Sequence, residues 1–157
     1  MIAKKVFSQL AKKGFTIAFA ESMTGGSLTY ELIKNPGSSV VIKGSIVAYS
    51  IEQKIKLLNL DPVMIYSCGI VSSEVATEMA KNIQKMMDTD VAIGVTGNAG
   101  PTTQETSNSL EAYVTIILQK DVHVLHIDLS ELTRIEAIKK TVLNTYEFME
   151  KLLQKIG

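Results

Sequence analysis

Two short apolar runs, each ending in a loop of small residues, constrain this chain more than any other feature. Residues 15–20 and 91–96 are continuous hydrophobic stretches of strand length. A strand that is apolar on both faces belongs inside a sheet covered by helices on both sides. The first run leads into Glu21-Ser22-Met23-Thr24-Gly25-Gly26, and the second into Gly97-Asn98-Ala99-Gly100-Pro101.

Helical periodicity surrounds these strands. Ile2, Val6, Phe7 and Leu10 mark one face of a first helix that ends at Gly14, with Lys4, Lys5, Lys12 and Lys13 elsewhere on it. Residues 27–33 and 52–58 read as further helices, and Asp61-Pro62 opens a short helical piece as N-cap and first-turn proline. Ser72 caps a helix running to about Met87 on the spacing of Val75, Met79, Ile83 and Met86. The closing helix begins with a capping box of Thr133 and Glu136 and carries Ile135, Ile138, Val142, Tyr146, Met149 and Leu153 as its apolar stripe.

Between the helices, residues 40–49 read as extended, with Gly44 marking a bulge or a close approach. Residues 112–118 and 122–128 read as a strand pair, and polar residues 102–109 as a surface loop. Strands interleaved with helices predict an α/β chain: a single three-layer α/β/α domain over residues 1–157, its mostly parallel sheet made mixed by the closing pair. Such folds bind ligands outside the carboxyl ends of their strands. Three loops therefore converge on one expected site: residues 21–26, 49–54 and 96–101.

Composition removes several classes of function. Sixteen Lys and Arg balance sixteen Asp and Glu, so a phosphate-backbone term of the nucleic-acid kind is not expected. Apolar runs stay below membrane-spanning length, which predicts no membrane partner and a cytoplasmic location. The lone Cys68 suits a reducing compartment and reads as a small buried hydrophobe. His123 and His126, three apart on a strand, face opposite sides and cannot share a metal.

The chemistry centres on Ser22, at a strand-to-helix turn. Gly25-Gly26 is either a tight turn or a ligand loop, and the unpaired N–H groups opening the next helix would suit an anion such as a phosphate. A serine needs a base, and neither histidine lies in an expected site loop, which weakens a Ser-His-Asp arrangement. Lys54 is the remaining base if its surroundings lower its pKa, with Tyr49 relaying a proton or holding the lysine. The bland alternative makes Lys54 a surface helix lysine and Tyr49 an interior ring.

Five stretches, in order and at familiar spacing, resemble the CinA C-terminal domain family: AESMTGG at 20–26, NPGSS at 35–39, GSIVAYS at 44–50 with Lys54 beyond, GIVSSEVA at 69–76 and VTGNAGP at 95–101. Stand-alone members of that family are nicotinamide-nucleotide amidases. The resemblance implies a three-layer α/β/α fold, a cytoplasmic location and self-association, commonly as a homodimer. It also implies hydrolysis of nicotinamide mononucleotide to nicotinate mononucleotide and ammonia, with no metal or other cofactor and with the pyridine nucleotide as the small-molecule partner. Carried over by position, Ser22 is the nucleophile, Lys54 the base and Tyr49 the assisting tyrosine. Thr24, Gly25 and Gly26 form the first binding loop, and Thr96, Gly97, Ala99 and Gly100 the second. Arg134 is the candidate for the arginine that precedes the last helix and meets the phosphate. The chain is also expected to lack the additional N-terminal, molybdopterin-binding-like domain of longer members.

Some positions depart from the family pattern. Ser109-Leu110-Glu111-Ala112-Tyr113 stands where Pro-Val-Gly-Thr-Val is usual, Ile51 replaces an asparagine, and Asn98 stands where isoleucine is usual. A carboxylate at Glu111 would repel a bound phosphate, and loss of the glycine would block close approach to backbone. The residues thus support two readings: an active amidase, or a catalytically reduced relative that binds a nucleotide or a partner. An amide hydrolase with another substrate lies between them.

Overall fold

The computed structural model describes residues 1–102 and 109–156. Of the surface loop expected over 102–109, residues 103–108 lie outside the described residues. Strands β1 (Ile17–Glu21), β2 (Ile42–Val47), β3 (Val91–Gly97), β4 (Glu111–Leu118) and β5 (Asp121–Asp128) form one sheet in the order β2-β1-β3-β4-β5. Pairing is parallel for β1 with β2 and with β3, and antiparallel for β3 with β4 and β4 with β5. Four strands therefore run one way and β4 alone opposes them, giving the expected mixed α/β sheet. The helices are α1 (Ile2–Lys13), α2 (Ser27–Ile33), α3 (Ile51–Leu58), α4 (Pro62–Cys68), α5 (Ser73–Met87) and α6 (Arg134–Lys155).

Alternation along the central strands creates two cores. Ile17, Phe19, Val91, Ile93 and Val95 point into a cluster with Val6 and Leu10 of α1 and Tyr146, Met149 and Leu153 of α6. Ala18, Ala20 and Ala92 point the other way, into a cluster with Val75, Met79 and Ile83 of α5. The second face is lined by small side chains, so α5 can lie close to the sheet. At Gly94 an added Cβ would stand 2.2 Å from the Ala76 carbonyl oxygen and 2.6 Å from the Ala80 nitrogen.

Local signals place the boundaries. Gly14 closes α1 in the left-handed region, at φ 69°. Ser50, Asp61 and Ser72 cap α3, α4 and α5 through their side chains, and Thr133 with Glu136 completes the capping box of α6. The expected irregularity at Gly44 is a register shift: Ile17 pairs with Ile42, but Ala18 pairs with Gly44. Met87 lies over it, its Sδ 2.8 Å from where a Cβ would be.

Several expectations are corrected. Strand β1 starts at Ile17, not Phe15, and β2 covers only Ile42–Val47 because a 3-10 turn takes Ser38–Val40. Cys68 is exposed at the end of α4. Met86 and Ile135 are exposed as well, while Thr141 and Thr145 are buried in α6 and return their hydroxyls to the helix's own carbonyls. Among the described residues, no helix is long and apolar enough to cross a membrane.

Candidate active site

The carboxyl ends of β1, β2 and β3 bring together the loops that carry Ser22, Lys54 and Gly97–Gly100. Ser22 follows the last residue of β1, and the Ala48 amide donates to the Glu21 carbonyl at 2.9 Å, so β2 delivers the next turn beside it. Ser50 then starts α3 at once by capping the Gln53 amide at 3.1 Å. Lys54 lies in the first turn of that helix, where side chains lean back toward the amino end. Its ammonium group consequently folds onto the turn before the helix, not into solvent.

Lys54 is 2% exposed and Ser22 5%. Lys54 Nζ lies 2.8 Å from Ser22 Oγ, 2.9 Å from the Ala48 carbonyl oxygen and 3.1 Å from the Tyr49 carbonyl oxygen. Burial pushes the amine from its usual 10.5 down to about 8. A neutral amine in this setting keeps two N–H bonds for the two carbonyls and turns its lone pair to the Ser22 hydroxyl. The reading of Lys54 as a surface lysine is thereby excluded.

Tyr49 is neither an interior ring nor a direct partner of the amine. Its side chain is 61% exposed, and its main-chain carbonyl is the group that meets Lys54. The phenol oxygen accepts from Arg134 at 2.7 Å, and the same guanidinium donates to the Gly100 carbonyl at 2.7 Å. Arg134 opens α6 directly after its cap Thr133 and ties the β2–α3 turn to the second glycine loop.

The expected anion site at the start of α2 is already filled. Glu21, fully buried, accepts from the amides of Gly26 (3.0 Å) and Leu28 (3.1 Å) through Oε1 and of Thr29 (2.9 Å) through Oε2. The Thr24 hydroxyl donates to the same carboxylate at 2.6 Å. These N–H groups therefore cannot receive a substrate phosphate, and Thr24 and Gly26 build the loop from inside. Gly25 and Gly26 have φ of 59° and 97°, which the turn requires. Sequence reasoning assigned Glu21 no role; its signal was an acidic residue closing an otherwise apolar strand.

The second loop is likewise largely structural. Thr96 donates its hydroxyl to the Ile70 carbonyl at 2.7 Å and is buried. At Gly97 a Cβ would lie 2.8 Å from that of Ala112, so this glycine serves the contact with β4. Ala99 is buried, and Gly100 donates its amide to Asn98 Oδ1 at 3.0 Å. The Asn98 Nδ2 is buried without a hydrogen-bond partner among the described residues. Glu111, expected to repel a phosphate, binds His126 Nε2 at 2.7 Å, beside the Tyr113 ring.

Fold and site together define a three-layer α/β protein with a buried serine–lysine pair at the carboxyl ends of its parallel strands. The chain belongs to the CinA C-terminal domain family, whose family model matches residues 1–153. A CinA-like protein of Dictyoglomus turgidum is 49% identical over 96 residues, which are 61% of this chain and 23% of that protein. Such relatives are long: the chain spans between 22% and 28% of their length. A CinA superfamily protein of Klebsiella pneumoniae superposes with a TM-score of 0.93 at 20% identity, over 98% of this chain and 96% of its own. The competence/damage-inducible protein CihA of Agrobacterium tumefaciens gives 0.90 at 24% identity, over 98% and 93%.

Proposed function

We propose that this protein is an amidohydrolase that converts nicotinamide mononucleotide to nicotinate mononucleotide and ammonia, with Ser22 as nucleophile and Lys54 as base. The observation that carries the reading is the 2.8 Å contact between Lys54 Nζ and Ser22 Oγ, both buried, with burial lowering the amine to about 8.

The free amine takes the Ser22 proton as Oγ bonds to the carboxamide carbon. Charge then develops on the carboxamide oxygen. The turn's own backbone bonds use the amides of Gly25 and Ser27, and the N–H groups of Met23 and Thr24, directly after the nucleophile, supply the donors. Collapse of the intermediate breaks the C–N bond while the Lys54 ammonium returns its proton to the leaving nitrogen, releasing ammonia. Water, deprotonated by the regenerated amine, then cleaves the ester on Ser22 and frees the acid. Arg134 serves the phosphate by exchanging the Tyr49 phenol for it. The active unit is taken to be a cytoplasmic homodimer or higher homo-oligomer.

The test is ammonia release from nicotinamide mononucleotide by the purified protein, with Ser22→Ala and Lys54→Ala as controls. Turnover well above both controls supports the reading. Equal, background rates in all three proteins end it for this substrate, and a ligand-dependent rise in melting temperature without turnover favours a binding role instead.

A further inference from the structure

Glu21 is a fully buried carboxylate that the reaction steps above leave unused. It makes no ion pair among the described residues. Burial alone accounts for the lowered pKa of Lys54, so Glu21 is not its electrostatic partner. The charge is instead held by five donors: Gly26, Leu28 and Thr29 give their amides, and Thr24 and Thr29 their hydroxyls, the last at 2.5 Å. Ser45 Oγ, at 2.8 Å, adds a contact to the Thr29 hydroxyl from β2. These donors lie on both sides of the Gly25-Gly26 turn. The carboxylate therefore closes residues 24–29 around itself, and Met23 and Thr24 are carried in the span between it and Ser22.

From this arrangement we infer that Glu21 is a positioning residue: as an internal anion it fixes the turn that aims the Met23 and Thr24 N–H groups at the oxyanion formed on Ser22. The inference rests on the serine–lysine reading but not on the identity of the amide. Both side-chain oxygens are required as acceptors, because each faces a backbone amide that can only donate: Gly26 and Leu28 on Oε1 and Thr29 on Oε2. A glutamine in its place would set an NH2 group against the Thr29 amide or the amides of Gly26 and Leu28, and one side of the turn would come loose.

The experiment follows the reactivity of Ser22 separately from any amide. A fluorophosphonate is added to the full chain, and phosphonylation of Ser22, with loss of fluoride, is followed by mass spectrometry at a temperature where circular dichroism shows each variant folded. Wild type, Lys54→Met, Glu21→Gln and Glu21→Ala are compared. Glu21→Gln is expected to label about 100-fold more slowly than wild type, the scale of losing an oxyanion donor. Acetate, which restores the CH2COO⁻ atoms deleted in Glu21→Ala, is expected to speed that variant by about tenfold, and acetamide is not. Folded Glu21→Gln labelling within about threefold of wild type would overturn the proposal, because a residue that only stabilises the fold changes melting and not this rate. Equal rescue by acetate and acetamide would overturn it too. Should Glu21→Ala not fold, the Glu21→Gln rate decides. Wild type labelling no faster than Lys54→Met would instead remove the serine–lysine reading itself, and the proposal with it.

Discussion

The phenol oxygen of Tyr49 accepts a 2.7 Å hydrogen bond from the guanidinium of Arg134, across 85 positions of sequence. Because that guanidinium also holds the Gly100 carbonyl, one side chain at the start of α6 links the turn that supplies the base to the loop after β3.

Arg134→Lys keeps the positive charge but cannot reach both acceptors with a planar fork. Steady-state ammonia release is expected to show KM for the mononucleotide raised by about tenfold or more, the scale of one charge-assisted hydrogen bond, with a smaller change in kcat. An unchanged KM would remove Arg134 from nucleotide binding.

Activity should follow the free amine of Lys54. With the pKa at about 8, roughly a tenth of the lysine is free at pH 7 and kcat/KM rises tenfold per pH unit below that. The profile levels above about 8, where the amine is neutral. A profile with its midpoint near 10.5, the unperturbed lysine value, would place the working base elsewhere.

Stability carries the same signature. Both folded and unfolded chains hold the Lys54 proton below about 8, whereas between about 8 and 10.5 only the unfolded chain keeps it. The unfolded state then binds more protons, so stability attributable to this group rises with pH across that window, by about 3 kcal/mol at its top. Urea melts of wild type and Lys54→Met from pH 7 to 10.5 check it: the wild type gains relative to the variant as pH rises, and parallel curves would contradict the burial argument.

Gly94→Ala tests the close seat of α5 on β3. The added methyl would fall 2.2 Å from the Ala76 carbonyl oxygen and 2.6 Å from the Ala80 nitrogen, both backbone atoms of a helix that cannot step aside singly. Equilibrium unfolding is expected to show a loss of about 3 kcal/mol or more.

Much of this architecture was legible in the sequence because its signals are local. The continuous apolar run of β3, the caps at Ser72 and Thr133 and the glycine at 44 each act within a few residues and appear where expected, and β1 does so apart from its start at Ile17. The three candidate loops also converge, since strand ends in a parallel sheet share one side. Contacts set by long-range packing were not legible. That Arg134 takes the Tyr49 phenol depends on how β2 and α6 come together, while the Tyr49 carbonyl on Lys54 and the Glu21 carboxylate at the start of α2 are contacts within one turn, fixed by backbone geometry that residue spacing does not register. Periodicity counted Ile135 and Met86 as core because it registers spacing, whereas exposure depends on where the facing layer ends.

The central claim is that Ser22 Oγ becomes covalently acylated because Lys54 removes its proton. Rapid-quench mass spectrometry of the protein mixed with nicotinamide mononucleotide tests it most directly. The account predicts a transient adduct of the nicotinoyl nucleotide on the peptide bearing Ser22, formed faster as pH rises toward about 8 and absent in Lys54→Met. Ammonia release with Ser22 unmodified throughout, or an adduct that forms equally well without the lysine, would contradict it.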